Sequence, residues 1–190
     1  MHCFNLPPIP TRMKPQEFVA VEIKIAKPGW TYPGNIGRVP CIATLWACDV
    51  SNPSLVYSSN FDPFNEGDTL NVLEGIFAWS KQNHPDAHVD FVVWKKDHLT
   101  AALSSHNTEM FVADWIDFLS YYAGTMGLSV AKAQEALFGL HLAHIAPGAD
   151  CAQALAKEFR TTFTRSLAQK RIIEEAKKLS EVWKQWDPGS

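Results

Sequence analysis

Long apolar runs are missing from this 190-residue chain, and no stretch approaches the roughly 18 residues that a membrane-spanning helix requires. Residues Met1 to Pro10 lack the basic start and extended apolar core of a secretion signal, so an intracellular location in an unspecified compartment is expected. Cysteine is scarce. Cys3, Cys41, Cys48 and Cys151 show no CxxC spacing, which argues against a zinc site or a disulfide scaffold and suits a reducing compartment. Also absent are GxSxG, the phosphate-binding P-loop and GxGxxG, so hydrolase and nucleotide-fold readings have no motif to rest on. There is no internal repeat and no low-complexity tract.

What is present is the composition of one globular domain, with 46% hydrophobic and 19% charged residues and seven Trp to fill a core. The net charge of −3 is unevenly spread. Between Lys157 and Trp186, eight basic residues face four acids, a net of +4 that leaves −7 on the remainder. A basic tail on an acidic body can mark a polyanion-binding end, or it can be a solvated helix face laced with i,i+4 pairs.

Hydrophobic periodicity supplies the element order. The arm at 1–17 carries Pro7, Pro8, Pro10 and Pro15 and should be extended. Phe18 to Ala26 alternates as a half-buried strand, and the Gly/Pro-dense Lys27 to Arg38 is a loop. Val39 to Val50 and Leu55 to Phe61 read as the second and third strands. From Asp68 the spacing of Leu70, Leu73, Phe77 and Ser80 becomes helical, with Asp68 or Thr69 as cap and a stop at Pro85. His88 to Trp94 is a strong strand, and Lys95 to Leu103 a short helix. Glu109 to Ala123 and Val130 to Ala136 read as helices, and Leu137 to Ile145 as a buried strand. A long final helix carries an apolar stripe ending in Trp183 and Trp186. The expected fold is α/β: a mixed five-stranded sheet, with an antiparallel meander of strands 1–3 followed by crossover helices. A body over 18–160 and a basic amphipathic C-terminal helix and tail over 161–190 complete the expected organisation.

This order resembles that of the ribonuclease H family over about Phe18 to Phe159. Val21 to Ala26 followed by Tyr32-Pro33-Gly34-Asn35-Ile36-Gly37 is similar to the family's first strand and its Asn-Pro-Gly-type loop. Thr69 to Lys81 stands where the family's first helix follows the meander. HVDFVVWKKDHL (His88 to Leu99) resembles its fourth strand, and LAHIAPGADCAQALAK (Leu142 to Lys157) its closing His, Gly-bearing loop and Leu-Ala helix, with His144 as the His. The tail through Trp183 and Trp186 is similar to extensions in fungal retroelement polyproteins.

The resemblance implies two divalent metals about 4 Å apart on a carboxylate cluster. Carried over residue by residue, the family's four carboxylates fall on Ala26, Asn71, Trp94 or Lys95, and Gln153. None is acidic, and hard Mg²⁺ demands oxygen ligands in octahedral geometry. Glu22, Glu74, Asp97 and Asp150 lie near the same places in the same order. Glu22, however, is four residues from Ala26, about 13 Å along a strand. The implied function is a degenerate, retroelement-derived ribonuclease H-like domain, a pseudoenzyme that binds nucleic acid without metal-dependent cleavage and holds no cofactor. Lys24, Lys27, Asn71, Lys95, Lys96 and His144 are its candidate contacts to an RNA–DNA hybrid or duplex, with Trp30 and Tyr32 able to stack on bases. Two alternatives stand beside it. One is an active hybrid-cleaving ribonuclease using Mg²⁺ with Glu74, Asp97 and Asp150 as displaced carboxylates. The other is an interaction module whose C-terminal helix docks a protein or a second copy.

Other clusters read as structural. His141 and His144 would lie on opposite faces of a strand and make no metal pair. His84 and His88, near Asp86 and Asp90, read as a solvated turn, and Cys41 and Cys48 as small core residues.

Overall fold

The computed structural model describes residues 14–25, 42–60, 66–104 and 108–186. Most of the Pro-rich arm and the Gly/Pro loop, with Ala26, Lys27, Trp30, Tyr32 and Arg38, lie outside the described residues. Strands β1 (Gln16–Ile25), β2 (Ile42–Asp49) and β3 (Val56–Asn60) precede helix α1 (Glu66–Asn83), strand β4 (His88–Val93) and helix α2 (Lys96–Ser104). A single 3₁₀ turn (Glu109–Val112) leads to β5 (Ile116–Asp117). Helices α3 (Phe118–Met126), α4 (Val130–Ala136), α5 (Phe138–Ile145) and α6 (Ala149–Gln185) close the chain.

The sheet order is β3-β2-β1-β4-β5. β2 runs antiparallel to both β1 and β3, while β4 is parallel to β1 and to β5. A mixed five-stranded sheet with a long C-terminal helix is therefore present, as the periodicity indicated. β1 is central because both of its faces are apolar. Val19, Val21 and Ile23 pack on one side against Val72, Leu73 and Ile76 of α1 and Leu99 and Leu103 of α2. Phe18 and Ala20, of opposite parity, pack on the other side against Phe118 of α3 and Leu155 and Phe159 of α6. The Phe18 ring lies 4.8 Å from Phe159 and 4.7 Å from Phe163. Each such side chain, fully buried, contributes about 1.5–3 kcal/mol.

Two segments differ from their periodic reading. Leu137 to Ile145, expected as a buried strand, is the turn before α5 and α5 itself, which has no fully buried residue. An almost wholly apolar run does not distinguish strand from helix, but Leu137, His141 and His144 recur at helical spacing, and the His141 amide donates to the Leu137 carbonyl at 2.9 Å. The fifth strand is instead the two-residue β5. It lies inside Glu109 to Ala123, which was expected to be one helix. Asp117 interrupts that helix: its backbone is extended beside Val93 of β4, and its carboxylate accepts the Ser120 amide and so caps α3. α3 ends on Gly127 in the left-handed region (φ 65°), where its N–H closes on the Ala123 and Gly124 carbonyls. The Asp68 and Thr69 positions, read as caps, lie inside α1, which begins at Glu66.

α6 spans 37 residues, about 55 Å at helical rise. Its first half is seated on the sheet through Cys151, Leu155, Ala156, Phe159 and Thr162. Among the described residues, the last side chains hydrogen-bonding it to the body are Ser166, 2.7 Å from the Tyr121 hydroxyl, and Gln169, which donates to the Thr125 carbonyl at 3.3 Å.

Candidate functional site: a histidine-lined cleft at the ends of the parallel strands

β1 and β4 run side by side in parallel; β4 ends at Val93 opposite Val21 while β1 continues to Ile25, and the chain leaves them in opposite directions across the sheet: β1 for β2, β4 for β5. Such an edge is where open α/β sheets accept ligands. A cleft of about 560 Å³ opens there, lined by Ile23 and Lys24 of β1, Lys95 and His98 beyond β4, and His141 and His144 of α5.

The alternation of β1 carries Glu22 to the face of Phe18 and Ala20, beneath α5. Only 3% of the residue is exposed, and a carboxylate so placed demands a partner. His144 supplies it: its Nδ1 lies 2.6 Å from Glu22 Oε1, with its side chain 14% exposed. His98 stacks on His144 at 5.8 Å between centroids and 23° between planes. Trp94 packs against both His141 and His144 at 6.3 Å. Lys95 donates to the Gln134 carbonyl oxygen of α4 at 2.9 Å, and the Gln134 amide nitrogen reaches His141 Nε2 at 3.4 Å. The buried Trp94 Nε1 and His141 Nδ1 have no hydrogen-bond partner among the described residues.

Burial lowers the pKa of His98, and the positive charges of His144 and Lys95 lower it further against the opposing pull of Asp97 and Glu22. These surroundings favour the neutral form of His98. Burial raises the Cys151 thiol, and the charges of Glu22 and Asp150 add to that against the Gly148 hydrogen bond.

The candidate contacts divide. Lys24, Lys95 and His144 meet at the cleft. Lys96 does not line it: its ammonium binds the Ala113 carbonyl and its amide donates to Asp117 at 2.8 Å. Asn71 and Glu74 are exposed on α1, whose buried residues pack on the face of the sheet opposite Glu22. Asp97 and Asp150 are exposed in the first turns of α2 and α6. Gln153 donates to the Pro53 carbonyl at 3.2 Å, and Lys27 is outside the described residues. His141 and His144, read as facing apart on a strand, share one face of α5.

These donors do not fit a two-metal centre. One oxygen of Glu22 is engaged by His144, and Lys24, the next residue of like parity on β1, is a cation rather than a metal ligand. Among the described residues no group of three or more His, Cys, Asp or Glu side chains is placed to hold a metal ion.

A second buried acid–histidine pair lies at the other end of the sheet. Asp49, closing β2, is fully buried and accepts from the Ser51 hydroxyl at 2.6 Å, the Asn52 amide at 2.8 Å and His84 at the end of α1. Burial alone would raise its pKa, but the Ser51, His84 and Asn52 hydrogen bonds outweigh it and hold the carboxyl below its ordinary value. The pair locks the turn after β2 to the end of α1, so His84 belongs to a buried contact rather than a solvated turn.

Sequence reasoning passed over His98, turned His141 away from His144, read Trp94 only as a lost carboxylate position, and set Glu22 aside. The signal for Glu22 was available: a lone acid in a strand whose two faces are both apolar must be buried and paired. No protein-family model matches the chain, and no curated protein matches it.

Proposed function

We propose that this chain is a ribonuclease H-like domain that binds nucleic acid in the cleft beyond β1 and β4 without metal-dependent cleavage. The observation that carries this reading is the cleft's lining: Lys24 and Lys95 converge with three histidines, while the one buried carboxylate is engaged by His144. A phosphate backbone meets two lysine cations there, together with imidazole nitrogens that can donate hydrogen bonds to its oxygens. The element order and the mixed sheet support the same reading, since they are what the ribonuclease H resemblance implies. Retroelement ancestry is part of this proposal and rests on the sequence resemblance alone.

The test is a salt titration of binding to a labelled RNA–DNA hybrid, for the wild type and for Lys24→Ala/Lys95→Ala. Each lost phosphate contact lowers the slope of log K against log salt by about 0.9, so the double variant should bind more weakly with a slope reduced by roughly 1.8 on the same rule. An unchanged slope removes the cleft from the interface. Cleavage of the hybrid on adding Mg²⁺ would replace the proposal with an active ribonuclease.

A further inference from the structure

The projecting half of α6 is helical through Gln185, although among the described residues its last side-chain hydrogen bonds to the body are at Ser166 and Gln169. An isolated helical stretch of this length is marginal in water unless one face packs. Here one face is prepared for packing. Ile172, Ala176, Leu179, Trp183 and Trp186 recur at intervals of four, three, four and three, the seam of a two-helix coil, with Ile173 and Val182 along its flanks. The charged residues of this stretch other than Glu175 stand on the opposite side, where Lys170, Glu174, Lys177 or Lys178, and Glu181 follow one another at i,i+3 and i,i+4 spacing.

We infer that this stretch of α6 pairs antiparallel with the same stretch of a second copy, making the protein a homodimer. Area and charge both favour that occupant. Trp183 and Trp186 are 74% and 77% exposed, and Ile172, Ile173, Leu179 and Val182 between 54% and 64%. Together they leave roughly 700 Å² open per chain, so pairing two copies removes about 1,400 Å², within the range of a standard specific interface. Residues 170–186 carry five basic and three acidic side chains, a net of +2 that leaves −5 on the rest of the chain. An antiparallel pair sets each positive end beside the other copy's negative body, whereas a parallel pair sets two negative bodies side by side. In the antiparallel register, small faces large: Ala176 meets the second copy's Leu179, and Ile172 its Trp183. Trp186 then reaches Gln169 at the edge of the other body.

Analytical ultracentrifugation of the full chain tests this. The expected mass is twice 21.2 kDa, and Leu179→Lys/Trp183→Lys should raise the dimer dissociation constant at least ~100-fold. Circular dichroism checks that the variant keeps its fold, as both residues stand clear of the body's core. Salt reads the orientation: raising it weakens an antiparallel dimer and strengthens a parallel one. A chain that stays monomeric at about 100 μM, on the order of a weak specific affinity, overturns the proposal and leaves the stripe to a helix of another protein. A dimer that survives the double substitution overturns it as well, and one strengthened by salt overturns the antiparallel arrangement.

Discussion

Replacing Glu22 by Ala should destabilise the fold by about 3–4 kcal/mol. The figure follows from what the carboxylate touches. Glu22 is buried, and its short hydrogen bond to His144 is charge-assisted, a class worth roughly 1.5–3 kcal/mol. Its loss also leaves His144 Nδ1 without a partner on a side chain only 14% exposed. Breaking a buried pair from one side costs about 3–5 kcal/mol, and the partial access of His144 to water puts this case at the lower end. For a domain of this size each kcal/mol moves Tm by about 2–4 °C, so a fall of roughly 6–16 °C is expected. Glu22→Gln keeps the shape and one acceptor and should lose only about 1–2 kcal/mol. Glu74→Ala, on the exposed side of α1, should stay within about 0.5 kcal/mol of wild type. Urea denaturation followed by circular dichroism measures all three. A Glu22→Ala cost below about 1 kcal/mol, the net worth of an ordinary hydrogen bond, would refute the reasoning, as would a cost equal to that of Glu74→Ala.

Three further outcomes follow from the same geometry. Asp49→Asn should cost about 2 kcal/mol at pH 7, because three donors lose a charged acceptor. The folded pKa of Asp49 lies below its unfolded value, so its contribution is present above the unfolded pKa and fades as pH falls through the folded one. The stability gap to wild type should therefore narrow in acid below about pH 4, and a gap that widens there contradicts the assignment. His98 is held below its ordinary pKa in the free protein, and a bound anion favours its charged form. Hybrid affinity should consequently rise as pH falls from about 7.5 towards 5.5, a trend that His98→Ala should flatten. Gly127→Ala places a Cβ at a φ of 65° and should cost about 1 kcal/mol, with little change in hybrid affinity.

Much of the fold was legible because alternation and helical spacing are local properties. β1 to β4, α1 and α4 appear where the pattern placed them, within a few residues at their ends. The pattern failed at Leu137 to Ile145, where an apolar run satisfies either period. It also failed at Ile116–Asp117, where pairing with β4 overrides helical propensity over two residues. The candidate site was less legible, since its contacts are tertiary. Glu22 and His144 stand 122 positions apart and Asp49 and His84 stand 35 apart, and no local pattern pairs them. Glu22 was set aside because the family register pointed to Ala26, four residues further on. Its burial, set by two apolar faces on one strand, was the stronger physical signal. The strand reading of Leu137 to Ile145 also turned His141 away from His144, which hid the histidine wall of the cleft.

The most direct test of the central claim is one titration of a labelled RNA–DNA hybrid with the full chain in Mg²⁺, reading binding by anisotropy and integrity on a denaturing gel from the same samples. The expected result is saturable binding that weakens steeply with salt, over a hybrid that stays intact. Binding without salt dependence, no binding at all, or a hybrid cut into fragments would contradict it.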